Sequence, residues 1–249
     1  WRIGGQYAVA DDAMVYASVA RGYKGPGFNL SIDPNAPLIK PEIPTSYEAG
    51  LKSMLPDRRL IFNISAYTSK FKDFQAQAFD AASNGYVLLN AGALKSRGFE
   101  IEASALPAEG LTLNLGVSYV DAFFSDFQFD RCYPFQPDCR ANGTTDSSGN
   151  NLPNVPKWTI SFTGRYETPV SENLAVFLQG ALYSRTKSNF SSTEDPNTVL
   201  PGYSQLDASI GLECGEDIEV RRLHPSERIL GRSGYGEEMR VEVLPFRSC

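Results

Sequence analysis

The chain has 249 residues, of which 42% are hydrophobic, with a net charge of −6 and a mean hydropathy of −0.27. The acidic balance argues against a nucleic-acid surface, whose affinity comes from Lys and Arg neutralising phosphates. No run of about 18 apolar residues occurs, which excludes a membrane-crossing helix but not membrane-crossing strands.

Period-two alternation of apolar and polar residues predicts about nine strands. In chain order they are Ile3–Val9, Met14–Tyr23, Thr45–Leu55, Leu60–Phe71, Gly98–Leu106, Leu111–Ala122, Lys157–Thr168, Leu174–Ser184 and Tyr203–Leu212. Tyr47, Ala49, Leu51 and Leu55 share one face, with Glu48, Gly50 and Lys52 on the other. Leu60, Phe62, Ile64 and Ala66 alternate with Asn63, Ser65 and Tyr67. Phe99, Ile101, Leu113 and Leu115 fall on one face of a predicted hairpin, and Glu100, Glu102 and Asn114 on the other. Trp158, Ile160, Phe162 and Tyr166 alternate with Thr159, Ser161, Thr163 and Arg165. The Met14–Tyr23 strand cannot be oriented from its own pattern.

The connections alternate as well. Ala10-Asp-Asp-Ala13, Pro56-Asp-Arg-Arg59, Pro107-Ala-Glu-Gly110 and the stretch around Pro169–Asn173 are short. Lys24–Pro44, Lys72–Arg97, Phe123–Pro156 and Arg185–Gly202 are long and rich in the turn formers Gly, Pro, Asn, Asp and Ser. Structureless connections beyond about 15 residues are uncommon in compact soluble domains. Long loops strictly interleaved with tight turns are what an antiparallel transmembrane β-barrel requires: short turns on one side, long loops on the other, an apolar lipid face and a polar lumen. Every backbone polar group is then satisfied from strand to strand. Tyr119, Trp158 and Tyr166, near strand ends, suit the aromatic girdles of such a barrel. A soluble β-sandwich or lipocalin-like barrel also alternates, but its loop lengths do not, and its polar face carries more charge.

Four segments carry a family resemblance. Tyr16-Ala-Ser-Val-Ala-Arg-Gly-Tyr-Lys-Gly-Pro-Gly-Phe-Asn29, Pro41-Glu-Ile-Pro-Thr-Ser-Tyr-Glu-Ala-Gly-Leu-Lys52, Asn90-Ala-Gly-Ala-Leu-Lys-Ser-Arg-Gly-Phe-Glu-Ile-Glu102 and Gly149-Asn-Asn-Leu-Pro-Asn-Val-Pro-Lys-Trp158 resemble, in order, the barrel of TonB-dependent outer-membrane receptors. The resemblance spans residues 1–212. It implies a plugged barrel of about 22 strands, of which this chain holds about nine or ten. The chain opens at Trp1 in what reads as mid-strand and is expected to be a fragment. The plug and the segment that contacts the TonB complex are expected to lie outside it. The implied location is the outer membrane of a Gram-negative bacterium. The implied function is energised uptake of a scarce nutrient, with a ferric siderophore as the expected cargo. The partners are then TonB, outer-membrane lipid and the small nutrient, with no nucleic acid, no cofactor and no enzymatic step. A passive porin-like channel is the alternative.

Residues 213–249 depart from that pattern. They contain no Ala, Asn, Gln, Thr or Lys, and every basic residue among them other than His224 is Arg. This shift reads as a frame-shifted translation, expected to be poorly ordered and to lack the terminal strand that assembly needs.

Cys132 and Cys139 are the disulfide candidate, since an outer loop is oxidising and the spacing closes a small ring. Cys214, Cys249 and His224, the only histidine, fall in the anomalous tail and receive no role. No catalytic triad or histidine metal site can therefore be assembled. Asp146-Ser-Ser-Gly-Asn-Asn151 faintly resembles a calcium loop but lacks its spacing and terminal Glu, and reads as a solvated loop. In the resembling family, recognition comes from the outer loops. The candidate ligand contacts are therefore Tyr23, Lys24, Phe28, Tyr133, Phe135, Arg140 and Phe190.

Overall fold

The computed structural model describes residues 1–28, 38–55, 59–80, 85–141, 143–172, 174–214 and 238–243, with backbone only at 77–80, 85–87, 214 and 238–243. One sheet runs through the chain. Its strands are β1 (Arg2–Ala10), β2 (Ala13–Arg21), β3 (Ile43–Leu55), β4 (Leu60–Asp80), β5 (Gly85–Ala108), β6 (Leu111–Asp126), β9 (Trp158–Ser171), β10 (Leu174–Arg185), β13 (Tyr203–Cys214) and β14 (Glu238–Val243). Each strand from β1 to β13 pairs antiparallel with the next in that order, and the sheet stays open as a partial barrel wall. Two short ribbons lie in the loops: β7 (Asp130–Arg131) with β8 (Thr144–Thr145), and β11 (Ser188–Asn189) with β12 (Val199–Leu200).

Cross-strand register sorts the residues into two faces, because side chains alternate along a strand and directly opposed residues point the same way. Val15, Leu51, Ile64, Ile101, Val117 and Ile160 are successive partners across six strands, an unbroken apolar row. The neighbouring row, Tyr16, Gly50, Ser65, Glu100, Ser118 and Thr159, is polar. Polar residues bond along their own face: the Tyr16 hydroxyl donates to Glu48 at 2.7 Å and the Ser104 hydroxyl to Asn114 at 2.7 Å. The register also orients β2, which the sequence pattern left open. Val15, Ala17 and Val19 lie on the apolar face, and Met14, Tyr16 and Ser18 on the polar one.

Tight turns close one end. At Ala108–Leu111 the chain reverses around Gly110, whose φ of +73° is a left-handed conformation costly for any residue with a Cβ. Gly98 has a different reason: a Cβ there would stand 2.1 Å from the Tyr119 carbonyl oxygen and 2.9 Å from the Tyr67 hydroxyl, which fills the space. Towards the other end Phe99, Tyr119 and Trp158 cluster on the apolar face, with ring centroids 4.8 to 5.7 Å apart. Tyr166 lies nearer the turn end of β9 and is exposed. Rings of this amphipathic kind mark membrane interfaces.

Two expectations are corrected. Lys72–Arg97 is not an irregular loop. Strands β4 and β5 run 21 and 24 residues, against the roughly nine to eleven that cross a membrane. They stay paired out to Asp80 and Gly85, past an irregularity at Asp73, whose φ is 52°. The cause is a small core beyond the membrane-crossing part. Ala76, Ala91, Leu94, Phe124 and Phe127 are buried there, with Phe71, Phe74, Leu89 and Leu152 packed around them. The second correction concerns Phe123–Pro156, which continues β6 to Asp126 and adds the β7–β8 ribbon. In the tail, β14 pairs parallel with Gln205–Ile210 of β13. His224 and Cys249 lie outside the described residues.

Candidate functional site

The outer segments are built as braces rather than free loops. In residues 22–44, bridges at Lys24–Glu42 and Gly27–Ile39 draw the two arms together, and Ile39 is buried. Gln75, on the extended β4, then ties the arms down. Its backbone N–H donates to the Glu42 carboxylate at 2.9 Å, and its amide donates to the Gly25 and Lys40 carbonyls at 2.8 and 3.0 Å. Asn90 on β5 accepts from the Lys40 N–H at 2.8 Å and donates to the Asp73 carbonyl at 2.8 Å.

The Asp126–Pro156 region is knitted from within. Cys132 and Cys139 are disulfide-bonded, their Cα atoms 5.8 Å apart. Inside that ring the Gln136 amide oxygen accepts from the Tyr133 N–H, and its nitrogen donates to Asp138 and Thr145. Asp130 is fully buried and accepts from the Ser147 hydroxyl at 2.7 Å and from the Arg131 N–H at 2.8 Å. Burial pushes its carboxyl above the ordinary carboxylate range, while bonds from Ser192, Ser147 and Arg131 pull the other way. Asp138 and Asp146, both at the surface, are held below that range, chiefly by hydrogen bonds from Gln136 and Ser148 respectively.

Ser192 belongs to the next outer segment, so Asp130 joins two loops. The same seam carries the Asn150 amide on the Ser192 carbonyl at 3.0 Å and the Asn154 N–H on the Asn189 carbonyl at 2.7 Å. It also carries Asn151, whose backbone and side-chain N–H groups both donate to Glu194. Within that segment Asp195 caps the single turn Pro196–Thr198.

The seven candidate contacts fall on three outer segments. Tyr23, Lys24 and Phe28 sit on the first, with Tyr23 and Phe28 about 70% exposed and Lys24 reaching the Glu42 carboxylate at 3.7 Å. Tyr133, Phe135 and Arg140 lie on the disulfide-bonded tip. Tyr133 is half-buried, and Phe135 is fully exposed at a φ of 65°. Phe190 stands exposed on the third. The fold also supplies a contact that sequence reasoning missed: the Arg140 guanidinium lies 5.9 Å over the Phe129 ring and donates to the Gln128 carbonyl. The missed signal is the pair of rings in Phe127-Gln-Phe-Asp130, of which Phe127 is buried and Phe129 exposed. Among the described residues no group of three or more His, Cys, Asp or Glu side chains is arranged to hold a metal ion. A planar, always-charged guanidinium over an aromatic ring, beside further exposed rings, can bind flat anionic ligands.

Comparison with known proteins follows the same lines. The sequence model of the family described as TonB dependent receptor-like, beta-barrel matches residues 1–221. The metal-pseudopaline receptor CntO of Pseudomonas aeruginosa is 27% identical over 206 residues, covering 83% of this chain and 26% of that protein. The vitamin B12 transporter BtuB of Vibrio vulnificus is 33% identical over 105 residues, covering 41% of this chain and 17% of that protein. Among solved structures, the ferric yersiniabactin uptake receptor FyuA of Yersinia pestis superposes with a TM-score of 0.67 at 21% identity, over 86% of this chain and 30% of that one. The chain spans about a quarter or less of the length of these two curated relatives. Strand order, apolar outer face, braced outer loops and family match agree: the chain belongs to the TonB-dependent receptor family and forms part of its outer-membrane β-barrel, in a Gram-negative cell envelope.

Proposed function

We propose that this barrel segment serves the energised uptake of a ferric siderophore. Its outer loops contribute to ligand capture, and TonB drives transport through a plug domain carried by the complete receptor. One observation carries the reading. Exposed aromatic and cationic side chains (Tyr23, Phe28, Phe129, Phe135, Arg140 and Phe190) project from braced outer segments, the first tied to β4 and the second and third tied to each other. Aromatic faces and a guanidinium suit planar, anionic metal chelates, because ring quadrupole and charge act together at a partly dehydrated surface. Bracing lowers the ordering cost of binding.

The names of the P. aeruginosa and Y. pestis relatives point to metal-pseudopaline and ferric yersiniabactin as their cargo, and that of the V. vulnificus relative to vitamin B12. The test is growth of a deletion strain on single defined iron sources, complemented with wild type or with Phe135→Ala/Arg140→Ala. Loss of growth on one siderophore, restored by wild type and weakened by the double variant, is the expected outcome. Equal growth of the deletion strain on every iron source would reject the siderophore reading.

A further inference from the structure

Just beyond the aromatic cluster, the apolar face of β4 and β5 turns cationic. Lys70 and Lys95 are direct cross-strand partners, with Lys72 and Arg97 two residues away along their own strands. Counting by twos from Ile64 and Ile101 places all of them on the lipid-facing side, opposite to Glu100 and Glu102. All are exposed. Lys157, at the mouth of β9, extends the patch. Like charges directly opposed on a sheet repel one another, yet among the described residues no carboxylate pairs with Lys70, Lys72 or Lys95. Asp121 alone reaches the patch, bonding Arg97 at 2.9 Å and Lys157 at 3.3 Å.

The height of the patch decides its partner. Phe99, Tyr119 and Trp158 mark the membrane interface. Arg97 and Lys95 lie two and four residues further along a tilted strand, roughly 5 to 10 Å higher at about 3.3 Å per residue. That is the headgroup layer, and the long loops at this end place it in the outer leaflet. The Lys stems can lie along apolar wall while the ammonium groups stay among the headgroups.

We infer that Lys70, Lys72, Lys95 and Arg97 form a lateral site on the lipid-facing wall for the phosphate groups of an anionic outer-leaflet lipid. The site faces away from the lumen, so it depends on the barrel's orientation and not on the cargo proposed above. Phosphate oxygens would accept charge-assisted bonds from the clustered cations and remove the Lys70–Lys95 repulsion.

The test uses the receptor purified from outer membranes in detergent, with added bisphosphorylated lipid A as probe and retained lipid quantified by mass spectrometry. Wild type should retain the lipid, and Lys70→Gln/Lys95→Gln should retain about thirtyfold less, as expected for losing two membrane-facing cations. Lys70→Arg/Lys95→Arg and the lumen-face control Lys52→Gln should behave as wild type. Dephosphorylated lipid A should not distinguish wild type from the Gln variant. Equal retention by wild type and the Gln variant would overturn the site. Displacement of the lipid by excess inorganic phosphate would show a free-anion site and overturn the lipid assignment. If the double variant does not assemble, as judged by heat-modifiable migration, Lys70→Gln and Lys95→Gln singly carry the same comparison.

Discussion

The Ser147 hydroxyl donates to the Asp130 carboxylate at 2.7 Å, and both residues are wholly shielded from solvent. With Ser192 as a further partner, this pair locks two outer loops together. Removing one side of a buried hydrogen bond leaves the other unsatisfied. Asp130→Ala is therefore expected to weaken local loop stability by about 1–3 kcal/mol, and Ser147→Ala by a similar or smaller amount. Hydrogen exchange at the Arg131, Ser147 and Gly149 amides reads the change, while the strand amides of β6 and β9 should be unaffected.

The same carboxyl gives the seam a pH dependence. Its folded pKa lies above the unfolded value, so the folded form binds more protons, and stability falls as pH rises through the folded value. Protection of the seam, corrected for intrinsic exchange, should be highest in mild acid and decline towards neutrality. Asp130→Asn should flatten that dependence. An unchanged slope in Asp130→Asn would locate the titration elsewhere.

Orientation of the wall is tested by paired substitutions on β6. Leu115 lies on the apolar face against Ala103 and Phe162, between the Gly110 turn and the Tyr119 girdle. Asn114 lies on the other face and bonds Ser104 and Thr163. Leu115→Arg should cost about 2–4 kcal/mol of folding free energy in bilayers, and Asn114→Arg much less. Equal losses in urea titrations of the refolded barrel would contradict the two-face assignment.

At Gly98 the packing of β5 against β6 leaves no room for a Cβ. A methyl group there meets backbone, the Tyr119 carbonyl, rather than the yielding end of a side chain. Gly98→Ala should destabilise by about 1–3 kcal/mol, the usual range for overpacking. Tyr67→Phe/Gly98→Ala removes only the hydroxyl contact and should recover little of the loss.

The Cys132–Cys139 bond closes a short ring at the loop tip that bears Phe135 and Tyr133. Loop-closure entropy for a ring of this size is about 2–3 kcal/mol, and it concerns the tip alone. Reduction, or Cys132→Ser/Cys139→Ser, should speed proteolysis between Arg131 and Arg140 and lower affinity for the siderophore proposed as cargo. The unfolding midpoint of the barrel should stay unchanged.

Much of this protein was legible in the order of its residues. Alternation is a local property with a period of two, so strand positions, the two faces and the tight turns followed from short windows. The grouping of Phe99, Ile101 and Leu115 apart from Glu100, Glu102 and Asn114 needed no tertiary information. Only the tertiary structure decided how far the strands extend. Lys72 to Asp80 read as loop because the residues it packs with, Leu94, Phe124 and Phe127, lie far along the chain and the strand is interrupted at Asp73. The burial of Asp130, the Arg140–Phe129 contact and the Lys70–Lys95 pair likewise depend on register and on contacts between distant segments, which no local pattern encodes.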